Sequence, residues 1–317
     1  MKKTVLFSIL IYLLITSCET QGDKFPRFEV KETILGKIND HVIKKVFFIN
    51  DQIGFVAISN DTLLKTSDGC KSFTRSLTDS SAIFEDIQFV SGNVGFVIDR
   101  NNYVFKTVDG GESWEKIKID ISGAYLRDIK CLNQDTLFVA AGGDAQIKGG
   151  FIIRSTDGGR TWDTTRTINL SHICFIDDSK GFACGYDGII KTTDAGKSWD
   201  TISISGAEDI LFLDENTGYS SDKRSLFKTI DGGSNWNLVK TIINPHWIMG
   251  EDFSKIECLN LINNKDLIFT LNARLIKVTA EQKWLQYEFT RPYYQLQMIS
   301  MNTGIVYGFE NLILVNF

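Results

Sequence analysis

The sequence predicts an all-β fold: one β-propeller of seven four-stranded antiparallel blades, with six blades as the alternative. Three observations predict it. A nine-residue motif recurs five times, a strand, a turn and a Gly-aromatic pair recur upstream of it, and the last unit ends at Phe317 one strand short. Self-similarity at a period near forty residues, with four short strands in each period, describes a propeller blade.

The five motifs are Lys65-Thr-Ser-Asp-Gly-Cys-Lys-Ser-Phe73, Lys106-Thr-Val-Asp-Gly-Gly-Glu-Ser-Trp114, Arg154-Ser-Thr-Asp-Gly-Gly-Arg-Thr-Trp162, Lys191-Thr-Thr-Asp-Ala-Gly-Lys-Ser-Trp199 and Lys228-Thr-Ile-Asp-Gly-Gly-Ser-Asn-Trp236. Their aspartates, Asp68, Asp109, Asp157, Asp194 and Asp231, are separated by 41, 48, 37 and 37 residues. A carboxylate suits a turn because it accepts several backbone N–H bonds, glycine supplies positive φ, and the indole buries a large apolar surface between sheets. All three roles are structural. The motif resembles the Asp-box, or BNR, repeat. The first copy departs from that pattern, with Cys70 for Gly and Phe73 for Trp.

The flanks complete the unit. Phe48 with Gly54-Phe55, Phe89 with Gly95-Phe96, Phe175 with Gly181-Phe182 and Phe212 with Gly218-Tyr219 mark the first two strands. A third strand runs into the motif, as in Gly188–Thr192, and a fourth follows it, as in Glu115–Asp120. Residues 256–288 and 296–317 are degenerate copies; the first keeps Trp284 without the aspartate. The missing last strand is expected from Phe28 to Leu35, which closes the ring and removes an open sheet edge.

The N-terminus reads differently. Lys2 and Lys3 precede an apolar run, Val5–Ile15, that is short for a membrane span, and Ile15-Thr16-Ser17-Cys18 follows. This resembles a bacterial lipobox. The resemblance implies cleavage after residue 17, acylation of Cys18 and a location in the bacterial cell envelope. Residues 18–24 then form the lipidated cysteine and a tether, and 25–317 the propeller. Cleavage leaves 32 basic against 39 acidic side chains, a net charge of −7, which argues against nucleic acid. No Cys-x-x-Cys pair occurs, and His41, His172 and His246 are scattered. No metal site, cofactor or catalytic residue is therefore expected.

Among Asp-box propellers, the short blades resemble the photosystem II stability/assembly-factor-like family of the sialidase-like group. That resemblance implies a non-catalytic, monomeric scaffold that binds a protein partner on the face carrying the strand 4–1 and 2–3 loops. It also implies a basic patch there, for which Arg100, Lys223 and Arg224 are placed, beside acidic neighbours. The alternative is a glycan-binding protein or a sialidase-like glycoside hydrolase. Two clusters are candidates for binding. His246, Trp247, Arg291, Tyr293 and Tyr294 concentrate aromatic side chains in predicted loops. The residue three before the repeated Phe position should ring one mouth of the central channel: Lys45, Asp86, Asp128, His172, Asp209, Lys255 and Gln295. Of these, Asp86, Asp128, His172 and Asp209 could hold a cation or a partner's lysine, and hydrated strand starts are the plainer expectation.

Overall fold

The computed structural model describes residues 25–317 apart from 39–40, 60, 144–148, 204–205, 243–255, 264, 272–273, 290–294 and 309–310. A strand β1 (Lys31–Lys37) comes first. Blade one follows as β2 (Ile43–Phe48), β3 (Gly54–Ile58), β4 (Thr62–Thr66) and β5 (Thr74–Thr78). Blade two is β6 (Phe84–Phe89), β7 (Gly95–Asp99), β8 (Tyr103–Thr107) and β9 (Glu115–Lys118). Blade three is β10 (Tyr125–Cys131), β11 (Leu137–Gly142), β12 (Gly150–Ser155) and β13 (Asp163–Thr167). Blade four is β14 (His172–Phe175), β15 (Gly181–Gly185), β16 (Gly188–Thr192) and β17 (Asp200–Ser203). Blade five is β18 (Asp209–Phe212), β19 (Gly218–Ser221), β20 (Ser225–Thr229) and β21 (Asn237–Thr241). Blade six is β22 (Ile256–Ile262), β23 (Asp266–Leu271), β24 (Arg274–Val278) and β25 (Trp284–Glu288). Blade seven takes β26 (Gln295–Ser300), β27 (Thr303–Gly308) and β28 (Asn311–Asn316) from the C-terminus and β1 from the N-terminus, in the order β1-β28-β27-β26.

Within the blades every strand pairing is antiparallel, and the innermost strands β2, β6, β10, β14, β18, β22 and β26 touch in sequence around a closed ring. The count is seven, so six blades is set aside. No helix long and apolar enough to cross a membrane occurs among the described residues.

The recurring Phe and Gly have a packing cause. Phe48 pairs with Gly54, Phe89 with Gly95, Phe175 with Gly181 and Phe212 with Gly218 across strands one and two. A Cβ on Gly54 would lie 2.4 Å from the Phe48 ring, so the glycine leaves the surface on which that ring lies. Blade three swaps the sizes, with small Cys131 opposite large Leu137. The next residues, Phe55, Phe96, Phe138 and Phe182, are wholly buried, because second strands are covered on both faces by neighbouring blades. Burial stabilises by about 1.5–3 kcal/mol for each such ring. Outer strands such as β5 face water and are polar, as Thr74-Arg-Ser-Leu-Thr78 shows. Cys70, Cys131, Cys174, Cys184 and Cys258 are free thiols, and burial pushes Cys70 and Cys174 up to about 12, out of reactive range.

The N-terminal segment completes the last blade as expected, with shifted bounds. The closing strand is Lys31–Lys37 rather than 28–35. Residues before it run over blade six: Gln286 N–H donates to Pro26 O at 2.8 Å, and Phe28 N–H donates to Gln286 O at 3.1 Å. Phe25 stacks on Trp284 at 5.4 Å, and Phe28 meets Tyr287 edge-on. Pro26 lacks an N–H, so it can lie against the outer edge of a sheet without leaving a donor unpaired.

Candidate partner-binding face

The two faces of the disc are built by different chemistry. On one, every motif makes the same turn. In blade four, Thr192 Oγ1 donates to Asp194 at 2.9 Å and accepts from Gly196 N–H at 2.9 Å. Asp194 also accepts from the N–H of Ser198 at 2.9 Å and from its hydroxyl at 2.7 Å. The same set forms at Asp68, Asp109, Asp157 and Asp231, the last with Asn235 in place of Ser. The hydroxyl of Ser72 and then its N–H hold Asp68 down at about 2, and Ser198 does the same for Asp194. Both residues after the aspartate take positive φ, including the non-glycines Cys70 (69°) and Ala195 (60°).

The aromatic of each motif packs at the blade junction. Trp114 meets Phe55 and Phe89, Trp199 meets Phe138 and Phe175, and Trp236 meets Phe212. Trp162 packs on the cluster around Phe96, and Phe73 on that around Cys70 and Ile305. Ile305 is the smaller counterpart of the Phe that elsewhere abuts the motif's second glycine. Cys70 fits in that glycine's place because the ring is missing.

The opposite face carries the channel mouth and the strand 4–1 and 2–3 connections. Here the structure brings Asp86, Asp128, His172 and Asp209 together, but as blade-to-blade latches. Asp86 accepts from Ile129 N–H at 3.1 Å, Asp128 from Ile173 N–H at 2.8 Å and Asp209 from Leu259 N–H at 2.7 Å, each on the next blade. Where the mouth residue cannot accept, it donates to the next blade's carboxylate. Lys45 Nζ lies 2.9 Å from Asp86, and His172 Nε2 lies 3.1 Å from Asp209. Between blades seven and one, the Tyr307 hydroxyl accepts from Val46 N–H and donates to Gln295. The three aspartates are only 5%, 9% and 6% exposed, so the expectation of hydrated strand starts is corrected: the carboxylates are taken up by the neighbouring blade.

Blade six also departs from its expected alignment. Lys255 lies outside the described residues. Asp209 bonds Leu259, which makes Cys258 the mouth residue there. A register shift between Glu257 and Asn260 moves the strand.

The latches titrate together. His172 touches both flanking blades, with Nδ1 3.6 Å from Asp128. Asp86 and Asp128 hydrogen-bond each other, which requires a shared proton. Burial, then the Asp86 charge against the opposing pull of His172, pushes Asp128 up to about 7. Burial would lower His172, but the carboxylates of Asp209 and Asp128 override it and raise it. Burial alone would lower Lys45, but the charges of Asp86, Tyr307 and Asp128 and the hydrogen bond to Asp86 together override it and hold Lys45 well above its ordinary value. No group of three or more His, Cys, Asp or Glu among the described residues is arranged to hold a metal ion.

Outside the mouth, two features on this face break the repeat. Arg100 and Arg127 lie 5.2 Å and 5.8 Å from the Tyr125 ring. Between blades four and five opens a cleft of about 530 Å³, lined by Tyr186, Glu208, Asp222, Lys223, Arg224 and Thr241 among others. Asp222 fixes its rim by accepting from the N–H groups of Arg224 (2.8 Å) and Ser225 (2.6 Å). Tyr186, a residue the sequence reading passed over, is 79% exposed. Its signal was available: an aromatic in the two-residue turn between β15 and β16. His246, Trp247, Arg291, Tyr293, Tyr294 and Cys18 lie outside the described residues.

The chain resembles proteins of the kind its repeat suggested. The family model for photosynthesis system II assembly factor YCF48 matches residues 32–122. No curated protein matches the chain. A solved YCF48 bound to a D1 peptide is 18% identical, with a TM-score of 0.70 over 92% of this chain and 99% of that one. YCF48 from Cyanidioschyzon merolae is 13% identical, with a TM-score of 0.69 over 91% and 99%. Virginiamycin B lyase from Staphylococcus aureus is 11% identical, with a TM-score of 0.71 over the same 91% and 99%. At these identities the solved structures share the fold.

Proposed function

We propose that this protein is a non-catalytic, lipid-anchored scaffold of the bacterial cell envelope that binds another protein through the 4–1/2–3 face. The cleft at Tyr186 carries this reading. There an exposed aromatic and an arginine stand beside a cleft of about 530 Å³, the composition of interface hot spots. The motif face, by contrast, uses its polar groups on its own turns. A YCF48 that holds a D1 peptide supports a peptide or protein as the partner. The mouth carboxylates support a non-catalytic role, since they bond backbone N–H groups and each other. The anchor reading rests on Ile15-Thr-Ser-Cys18. Trp247 and Tyr294 are further candidate contacts on the sequence alone, as aromatics concentrated between repeat units.

Capture from native membranes tests this. The tagged, acylated protein is expected to retain a protein partner. Tyr186→Ala with Arg224→Ala should weaken retention about tenfold or more at unchanged melting temperature, and Trp247→Ala with Tyr294→Ala should act in the same direction. Retention of the partner with loss of binding to a glycan array would move the function to glycans. Turnover of sialosides or β-glucans by the wild type would make it an enzyme. Unchanged acyl labelling in Cys18→Ser would remove the anchor.

A further inference from the structure

The motif face is not uniform around the ring. On blades one to five, the motif turn and the strand 1–2 loop of each blade bond to one another, as Gly110 N–H does to Asn93 O at 2.8 Å and Gly232 N–H to Asn216 O at 2.9 Å. Each of these blades presents its motif aspartate there, with further acids such as Glu112, Asp178 and Glu215. Blades six and seven have lost that aspartate. Among the described residues, their connections on this face carry exposed Lys265 and Lys283 with exposed Glu281, Glu29 is exposed two residues before Lys31, and Met301 is 60% exposed beside them. Asn263 N–H donates to Met301 O at 3.0 Å, so the two blades share one surface. Exposed Lys31 opens β1 on the same side, paired with Asn316.

The N-terminal segment reaches the disc at this same sector. Phe25 stacks on Trp284, the first residue after the blade-six turn. From Cys18 to Phe25 an extended chain spans at most about 25 Å. An anchor at Cys18 would hold this sector, rather than the acidic one, against the bilayer. Attraction between exposed charges acts only within about 8 Å at physiological salt, so the sector that the tether holds close decides the sign of the interaction.

We propose that the motif face of blades six and seven is a docking surface for an anionic phospholipid membrane, with Lys31, Lys265 and Lys283 meeting headgroups and Met301 the interface. This rests on the anchored reading above and deepens it. The degenerate motifs leave this sector without the fixed negative charges that blades one to five carry. The disc then stands with its 4–1/2–3 face turned away from the lipid and open to a partner.

The test uses residues 18–317, which hold all seven blades, with Cys18→Ser so that the surface acts without acyl chains. In flotation with vesicles of equal parts phosphatidylglycerol and phosphatidylcholine, binding should exceed that to pure phosphatidylcholine by about tenfold or more. It should fall away at about 0.5 M salt. The triple change Lys31→Glu, Lys265→Glu and Lys283→Glu should abolish the preference, the three Lys→Arg changes should keep it, and Lys71→Glu with Lys197→Glu should leave it unchanged. Melting curves identify any variant that fails to fold, and the Lys→Arg set then decides. Equal binding to both vesicles, or wild-type binding by the charge-reversed protein, overturns the proposal. Partner capture reads the other face, so either reading can fail while the other stands.

Discussion

The motif turns and the channel mouth both use aspartates, to opposite ends. Asp194 stands in water and ties down its own hairpin with five hydrogen bonds, all within four residues of it. Asp128 is buried and bonds a residue 45 positions away on the next blade. The first kind repeats in sequence because each turn solves the same local problem. The second varies, from Lys45 to Asp86 to His172, because only complementarity with the neighbouring blade matters. Repetition therefore marks local structure, and variation at a fixed repeat position marks the joints between units.

Six substitutions sharpen that contrast. Trp199→Ala should have the largest effect, about 3–5 kcal/mol by denaturant melting, because the indole fills the junction between Phe138 and Phe175. Asp86→Ala should cost about 2–3 kcal/mol, since it strands the Lys45 ammonium and the Ile129 N–H together. A mouth that tolerates this change as a surface loop would is not a latch.

The two regions should also respond oppositely to pH. Asp128 binds a proton in the folded state up to about pH 7, whereas in the unfolded chain it releases one near 3.8. Stability from that proton falls as pH rises across this window. Raised His172 contributes below its unfolded value near 6.5 and loses its contribution as pH rises through its higher folded value. Melting temperature should therefore drop between about pH 5 and pH 8, with a slope of up to about 1.4 kcal/mol per pH unit for each proton. Asp128→Asn imitates the protonated carboxyl and should gain about 1 kcal/mol at pH 8. A wild type equally stable at both values would refute the shared proton. The motif aspartates act at the acid end. Asp68 and Asp194 sit at about 2 when folded, so their contribution is present above about 3.8 and disappears as pH falls through about 2. Asp194→Ala should cost less than Trp199→Ala at neutral pH and flatten the acid limb of the curve.

The smallest effect belongs to Ala195. At φ 60° it holds a conformation suited to glycine, and Ala195→Gly should stabilise by about 1 kcal/mol or less. Cys70→Gly should not, although its φ is 69°, because the thiol fills the space beside Ile305. Equal gains at both positions would mean that the seam is not packed as described.

The blade count and strand order were legible because the period and the Phe-to-Gly spacing each have one physical solution. Three things were not. The burial of Asp86, Asp128 and Asp209 depends on sheet-to-sheet distance, which no single strand records. The blade-six register slipped because a bulge at Glu257–Asn260 adds residues without changing the apolar pattern. The run of Phe25–Val30 over blade six is set by Trp284 and Tyr287, some 260 residues away in the chain. Of the binding candidates, the aromatic loop set lies outside the described residues, and Tyr186 was visible in the sequence but belonged to no repeat.

The pairing of β1 with β28 joins the earliest and the latest of the described strands. During translation, β1 has no partner until Asn311–Asn316 has emerged, so ring closure is a late event however quickly the middle blades form. A chain interrupted anywhere before β28 leaves two unsealed edges, β1 and whichever strand came last. Such edges invite recognition by chaperones and proteases. Pairing of β1 with β28 thus acts as a checkpoint: only a chain that carries both strands can hide both edges.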